Sequence, residues 1–174
     1  RAALHLMRAG AAGVLVGFGG VATSANRQTI GVSIPMATAI SDVAEARRDY
    51  MDESGGRYVQ VIADGSMGES GSFVTALAMG ADAAMLGAPL ARAQEAPGHG
   101  THWGSEARHA TLPRVLRSEV GTVGTLQEIL YGPSHKADGT TNFIGALRRA
   151  MASCGYVDIK SFQRCPVVVT ANRS

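Results

Sequence analysis

Three apolar runs in the first half of the chain stop abruptly at small residues, and the stretches between them carry apolar side chains at helical spacing. The runs are Val14-Leu15-Val16 before Gly17, Val61-Ile62-Ala63 before Asp64-Gly65-Ser66, and Ala84-Met85-Leu86 before Gly87-Ala88-Pro89. A short continuous apolar run bounded by turn residues reads as a strand that needs cover on both faces, the kind found in parallel sheets. Glycine just past a strand lets backbone N–H groups approach an anionic ligand with no Cβ in the way. The second and third runs therefore read as neighbouring parallel strands whose ends present bare backbone, where a β/α barrel holds a phosphate.

The elements between the runs fit this reading. Residues 1–10 carry Ala3, Leu4, Leu6, Met7 and Ala9 at helical spacing, with Gly10 as a stop. Residues 38–51 repeat the pattern through Ile40, Val43, Ala44, Ala46, Arg47 and Tyr50, ended by Glu53-Ser54-Gly55-Gly56. A helix at 70–79 has Phe73, Val74, Leu77 and Ala78 on one face and Gly80 as its stop, leaving strands at 14–16, 58–63 and 83–86. The order α-βα-βα-β implies parallel crossovers. It suits a TIM barrel, although a doubly wound sheet shows the same alternation. Residues 17–35 form a loop longer than a βα connection needs, and long loops on a rigid scaffold tend to be functional. About 90 residues of this rhythm is less than half a barrel. A chain holding only the later strands leaves two open edges and one exposed face.

Beyond residue 93 the periodicity fails. Residues 94–124 contain Pro97, Gly98, His99, Gly100, His102, Trp103, Gly104, His109 and Pro113, and read as an irregular flap-like insertion. Helical spacing returns at 125–131 and 142–151, and Pro166-Val167-Val168-Val169 reads as a terminal strand or extended tail. The expected organisation is one partial domain over 1–174, with βα units in 1–93, the insertion in 94–124, and C-terminal helices and tail in 125–174.

The composition excludes several classes. It is 45% hydrophobic and 17% charged with a formal charge of +2, with no apolar run long enough to span a membrane and no basic patch for nucleic acid. Glycine supplies 22 of 174 residues, against a usual share of about 7%, but it punctuates turns rather than forming tracts. Cys154 and Cys165 form no CxxC and are too few for a disulfide framework, which fits a reducing cytoplasm. The chain starts with Arg1 inside helical spacing, with no leader pattern, and is expected to be part of a longer protein. His99, His102 and His109, spaced by three and seven in a Gly/Pro-rich loop without a cysteine or acidic set, are not expected to hold a metal. Trp103 has two readings, a cover over a bound nucleotide or an aromatic packed on the scaffold.

The segment 13–40, "GVLVGFGGVATSANRQTIGVSIPMATAI", followed by "VIADGS" and "GADAAMLGAPLARAQEAPG", resembles the catalytic half of the IMP dehydrogenase and GMP reductase family. It looks most like the bacterial IMP dehydrogenase-related subgroup, with "HWG" after the "APG" turn and "GTVGT" and "GALRRAM" near the end. The resemblance runs over nearly the whole chain and implies an α/β fold, the C-terminal half of a TIM (β/α)8 barrel. It implies that Asp64, Gly65, Ser66, Gly87 and Ala88 hold the ribose hydroxyls and phosphate of a purine nucleoside monophosphate. A carboxylate accepts from two hydroxyls, and backbone amides bind the dianion. Gly17 and Gly19 match glycines close to the nicotinamide of NAD and to a bound monovalent cation. Tetramers are usual in the family, and the missing N-terminal half of the barrel is an expected partner.

Members that oxidise IMP carry a cysteine three residues before the position of Arg27 and eleven before that of Pro35; here this is Ser24. The nucleophile attacks C2 of the purine, hydride leaves to NAD, and the covalent intermediate is hydrolysed. A thiolate is partly available near neutral pH, whereas a serine needs an adjacent general base, and none is evident in this loop. Val21 and Ala22 also stand where the family shows a cation-binding glycine and a phosphate-binding serine, which argues against a K+ site here. The resemblance thus implies an NAD-linked, IMP dehydrogenase-like oxidoreductase of guanine nucleotide synthesis whose usual nucleophile is replaced. The alternatives are a catalytically silent nucleotide-binding or regulatory paralogue and a GMP reductase-like enzyme.

Overall fold

The computed structural model describes residues 1–17, 29, 31, 33–103 and 118–168. Its first half is the alternation read from the sequence: α1 (Ala2–Arg8), β1 (Gly13–Val16), α2 (Met36–Glu53), β2 (Gln60–Asp64), α3 (Ser70–Ala78) and β3 (Ala83–Met85). The three strands form one parallel sheet in the order β1-β2-β3. This is an α/β fold with the arrangement of a barrel segment.

Strand alternation sorts the side chains onto two unlike faces. Val14 and Val16 of β1 and Val61 and Ala63 of β2 are buried against the helical layer. Val16, Val61 and Ala63 join Ile40 of α2 and Ala76 and Leu77 of α3 in the main core. Met7, Val14, Tyr50 and Val59 form a second cluster that seats α1. On the opposite face, register aligns Leu15, Ile62 and Ala83, and no described element covers them. Leu15 is 52% exposed and Met85 47%. The expectation of strands covered on both faces therefore holds on the helical side only; the other is the exposed face anticipated for a chain carrying only the later strands.

At the N-terminal ends of the strands a buried ionic cluster ties the layers together. Asp82, just before β3, has a side chain 7% exposed and meets Arg47 of α2, itself 8% exposed, at 2.5 Å. Arg47 also donates to the Gly80 carbonyl at 3.2 Å. Asp82 further accepts from the Tyr58 hydroxyl, from the Val61 amide at 2.8 Å and from Lys160 Nζ at 2.8 Å. A buried charge is tolerated when its lone pairs are this fully engaged. Burial pushes the Asp82 carboxyl up, but hydrogen bonds from Lys160, Tyr58 and Val61 and the charge of Arg47 outweigh it and leave its pKa below the usual carboxylate value.

After β3 come α4 (Ala88–Ala91), the two-residue strands β4 (Thr101–His102) and β5 (Ser118–Glu119), α5 (Leu126–Tyr131), α6 (Phe143–Ser153) and α7 (Ile159–Phe162). β4 and β5 pair antiparallel, so the segment 94–124 contains a strand pair that the failed periodicity did not reveal. Its ends lie together: Ala93 and Gly124 form a parallel bridge, and the Gln94 amide donates to the Gly124 carbonyl at 2.9 Å. Thr125 then caps α5 in a capping box with Glu128. Phe143 at the start of α6 is fully buried with Ile129 and Ala93 and meets Phe73 of α3 at 5.7 Å between ring centroids. Residues 165–168 lie in no strand and Val168 is 83% exposed, so over those residues the extended tail is the reading that stands.

Candidate functional site at the strand ends

The C-terminal ends of β1, β2 and β3 finish at one level, because register sets Val16 against Ala63 and Asp64 against Met85. Beyond Val16 the chain turns at Gly17 with φ +108, a conformation that L side chains rarely adopt. A Cβ there would collide with the Asp64 carbonyl oxygen and lie 3.1 Å from Met36 Sδ. Only a bare Cα lets β1 end so close to β2.

Asp64 is the last residue of β2, and alternation places it on the open face with Ile62 and Met85. Gly65 follows with φ +131 and is buried, and Ser66 takes φ +60 while exposed. Ser66 is thus a non-glycine residue in the left-handed region, which costs about 1–3 kcal/mol in local conformation and is a feature of tight functional turns.

Beyond β3, Gly87 starts the short α4, its carbonyl accepting from the Ala91 amide at 3.0 Å. A Cβ on Gly87 would lie 2.7 Å from His102 Nε2, so the β4 imidazole rests on the bare backbone at the end of β3. Arg92, at the end of α4, donates from its guanidinium to the Gly68 carbonyl at 2.9 Å. It fastens the loop after β2 to the helix after β3, holding the two predicted loops side by side.

Asp64, Gly65, Ser66, Gly87 and Ala88 thus all sit at the ends of two adjacent strands, and Gly17 packs directly on Asp64. Gly19 and Ser24 lie outside the described residues, as does His109. His99 is exposed in a turn with φ +45, and Trp103 packs back towards the Gly98 turn, where a Cβ would lie 3.3 Å from its indole Nε1. Among the described residues no group of three or more His, Cys, Asp or Glu side chains is gathered to hold a metal ion. A cleft of about 320 Å³ opens between the start of α2 and α3, lined by Met36, Ile40, Met67, Thr75 and others. Of the predicted residues only Ser66 borders it; the cleft lies in the helical layer, beside the strand ends rather than over them.

Two contributors escaped the sequence reading. In the sequence His102 stands out only as a member of a histidine set, and its contact with Gly87 depends on the pairing of β4 with β5, which no local pattern encodes. Arg92 gave no signal, since its partner is a backbone carbonyl 24 residues away.

Comparison with known proteins places this geometry. A family model described as the IMP dehydrogenase / GMP reductase domain matches residues 1–111. The chain is 51% identical over 173 residues to an uncharacterized oxidoreductase of Mycobacterium leprae, covering 98% of this chain and 46% of that protein. It is 30% identical to the inosine-5'-monophosphate dehydrogenase of Aquifex aeolicus, covering 91% of this chain and 34% of that one. The crystal structure of an IMP dehydrogenase/GMP reductase-like protein from Corynebacterium glutamicum superposes with a TM-score of 0.86 at 52% identity, over 97% of this chain and 44% of that one. The chain spans about half the length of curated relatives that it matches over nearly its whole length. With the family model matching well over half of its length, the chain belongs to the IMP dehydrogenase / GMP reductase family.

Proposed function

We propose that the strand-end constellation binds a purine nucleoside monophosphate, as the nucleotide-binding half of an NAD-dependent oxidoreductase that converts IMP to XMP. The observation that carries this is the juxtaposition of Asp64 with Gly65 and Gly87 on neighbouring parallel strands at one level. A carboxylate there accepts from the two ribose hydroxyls, while bare backbone beside it accepts a phosphate. Ser66 and Ala88 complete the proposed substrate contacts.

In the proposed reaction the purine C2 gains oxygen from water and loses hydride, and NAD, when bound, is the hydride acceptor. Gly17 and Gly19 are the positions proposed beside the nicotinamide. The missing side chain of Gly17 is already required by packing on Asp64 and Met36, so its part in holding NAD is through backbone. No cation is proposed. The chain is placed in the cytoplasm, in a tetramer that includes the rest of the barrel. Among the described residues no helix is long and apolar enough to cross a membrane.

Ser24 favours a second reading, a nucleotide-binding or regulatory protein without turnover, because a serine lacking a base is a poor nucleophile. Cys154 and Cys165 do not replace the missing thiol. They flank α7, whose neighbouring Gln163 reaches the Ala81 carbonyl at the opposite, N-terminal end of β3. A GMP reductase-like reaction is a third possibility in the same family.

Thermal melts of the purified protein with and without millimolar IMP test the site. A ligand that binds only the folded state raises the midpoint with concentration. A shift lost in Asp64→Ala supports the site, and no shift overturns it. NADH formation from IMP then separates the enzyme from the silent paralogue.

A further inference from the structure

We propose that Arg92 is the residue by which the strand-end site selects a nucleoside 5′-monophosphate over the uncharged nucleoside, because it brings the positive charge that answers the phosphate. This rests on the nucleotide-binding reading of Asp64, Gly65 and Gly87. It is carried by where Arg92 stands in the sequence and by how the fold holds it.

Between Arg57 and Arg108, Arg92 is the only lysine or arginine of the chain. That span contains β2, β3 and the loops that follow both. The connection after β2 carries acids instead, Asp64 at its start and Glu69 just before α3. A phosphate beside Asp64 meets a repelling carboxylate, and the backbone amides that cradle it carry only partial charge. Asp82 is answered by Arg47 at the opposite end of β3. Without Arg92 the two strand-end loops would present only acidic side chains and backbone to a negative ligand.

The fold fixes Arg92 through its backbone on both sides. Its amide donates to the Ala88 carbonyl at 3.1 Å, one turn back at the start of α4, and its carbonyl accepts from the Val123 amide at 3.0 Å. A side chain at this position leans towards the helix N-terminus, which in α4 is the end formed by Gly87 and Ala88. Nη1 reaches the Gly68 carbonyl at 2.9 Å, three residues past Gly65. The guanidinium therefore bridges the two loops between which the phosphate is proposed to sit. It has five N–H donors. One is spent on Gly68, and among the described residues no other group is hydrogen-bonded to the rest. A planar fork held by one edge, with donors to spare, is the form in which arginine recognises phosphate. The sugar and the charge are then read by separate groups, Asp64 and Arg92.

Titrations of IMP and of inosine into the purified protein, followed by calorimetry and by melting temperature, test this. Arg92→Gln should weaken IMP binding about tenfold to a hundredfold, the usual worth of a hydrogen bond to a charged group, and inosine binding by less than about twofold. Arg92→Lys, which keeps the charge and loses the fork, should fall between. Added salt should weaken IMP binding more steeply in the parent than in the Gln variant. A dicarbonyl reagent specific for arginine reads the contact in the unsubstituted protein, whatever the stability of the variants: by peptide mapping, IMP should protect Arg92 and inosine should leave it reactive. Equal losses for IMP and inosine in Arg92→Gln, or equal protection by both, would make Arg92 a brace of the loops and overturn the proposal. IMP binding undiminished in Arg92→Gln would overturn the role of Arg92 alone, whereas a parent protein that binds neither ligand would overturn the site and this role together.

Discussion

The backbone of Gly17 closes directly on the carbonyl of Asp64, so that the end of β1 is moulded to the residue proposed to hold the nucleotide ribose. Gly17→Ala adds a methyl where the Asp64 carbonyl already sits, and does so at φ +108. A cost of about 2–3 kcal/mol is expected from overpacking together with a strained backbone. Urea unfolding should show the loss in midpoint, and any IMP-induced stabilisation should weaken with it, since Asp64 must move.

Asp64→Asn should behave differently. Asp64 is partly exposed and no hydrogen bond to its side chain holds the fold together among those described, so unfolding should change by less than about 0.5 kcal/mol. The IMP-dependent rise in melting temperature should fall by the equivalent of about tenfold or more in affinity, the usual worth of a charge-assisted hydrogen bond. Equal loss of stability with and without IMP would point to a purely structural carboxylate.

Gly87 and His102 should be coupled. Gly87 has ordinary backbone dihedrals, so Gly87→Ala is opposed by the imidazole alone, 2.7 Å from the new methyl. Gly87→Ala is expected to destabilise by about 1 kcal/mol, and His102→Ala in the same chain to recover most of it. A double-mutant cycle in urea measures the coupling, and strict additivity would mean the two do not touch in solution.

Asp82→Asn should be the most damaging of these changes. It removes one charge from a pair whose side chains are each less than a tenth exposed, leaving the Arg47 guanidinium buried without its partner, at about 3 kcal/mol. The pKa of Asp82 is lowered in the folded state. Its contribution is therefore complete above the unfolded carboxylate value of about 3.9 and lost as pH falls through the lower folded value. Stability of the parent protein should drop below about pH 4, and the Asn variant should show a shallower fall over the same range.

The alternation of strand and helix was legible because each apolar run ends on a residue that cannot continue it, as at Gly17, Asp64-Gly65 and Gly87. Local spacing placed β2 and β3 side by side and gave α1, α2 and α3 to within a few residues at each end. It missed α4 and α7, four residues each, since a single turn carries too few positions for a period to register. It also missed β4 and β5, because a two-residue pair is created by its partner across the gap and not by its own composition. The alternation within β1 was read as apolar throughout, and so the exposure of Leu15 could not be seen from Val14-Leu15-Val16 alone. At the candidate site the substrate positions were named from motif resemblance, whereas Arg92 and the contact of His102 with Gly87 needed the tertiary register.

The Asp82 cluster sets an order of synthesis on the molecule. Arg47 and Tyr58 emerge before Asp82, but Lys160 follows it by 78 residues and Tyr58 by 102. During translation the base of β3 therefore exists for 78 further residues of synthesis with only part of its hydrogen-bonding complement. Domains fold as units once their chain is out, and here the last ligands to reach the carboxylate, Lys160 and Gln163, come from α7 and its C-cap. A ribosome stalled before residue 160 should display a nascent sheet whose N-terminal strand ends stay open to proteases and chaperones, and release of the final turn should close them.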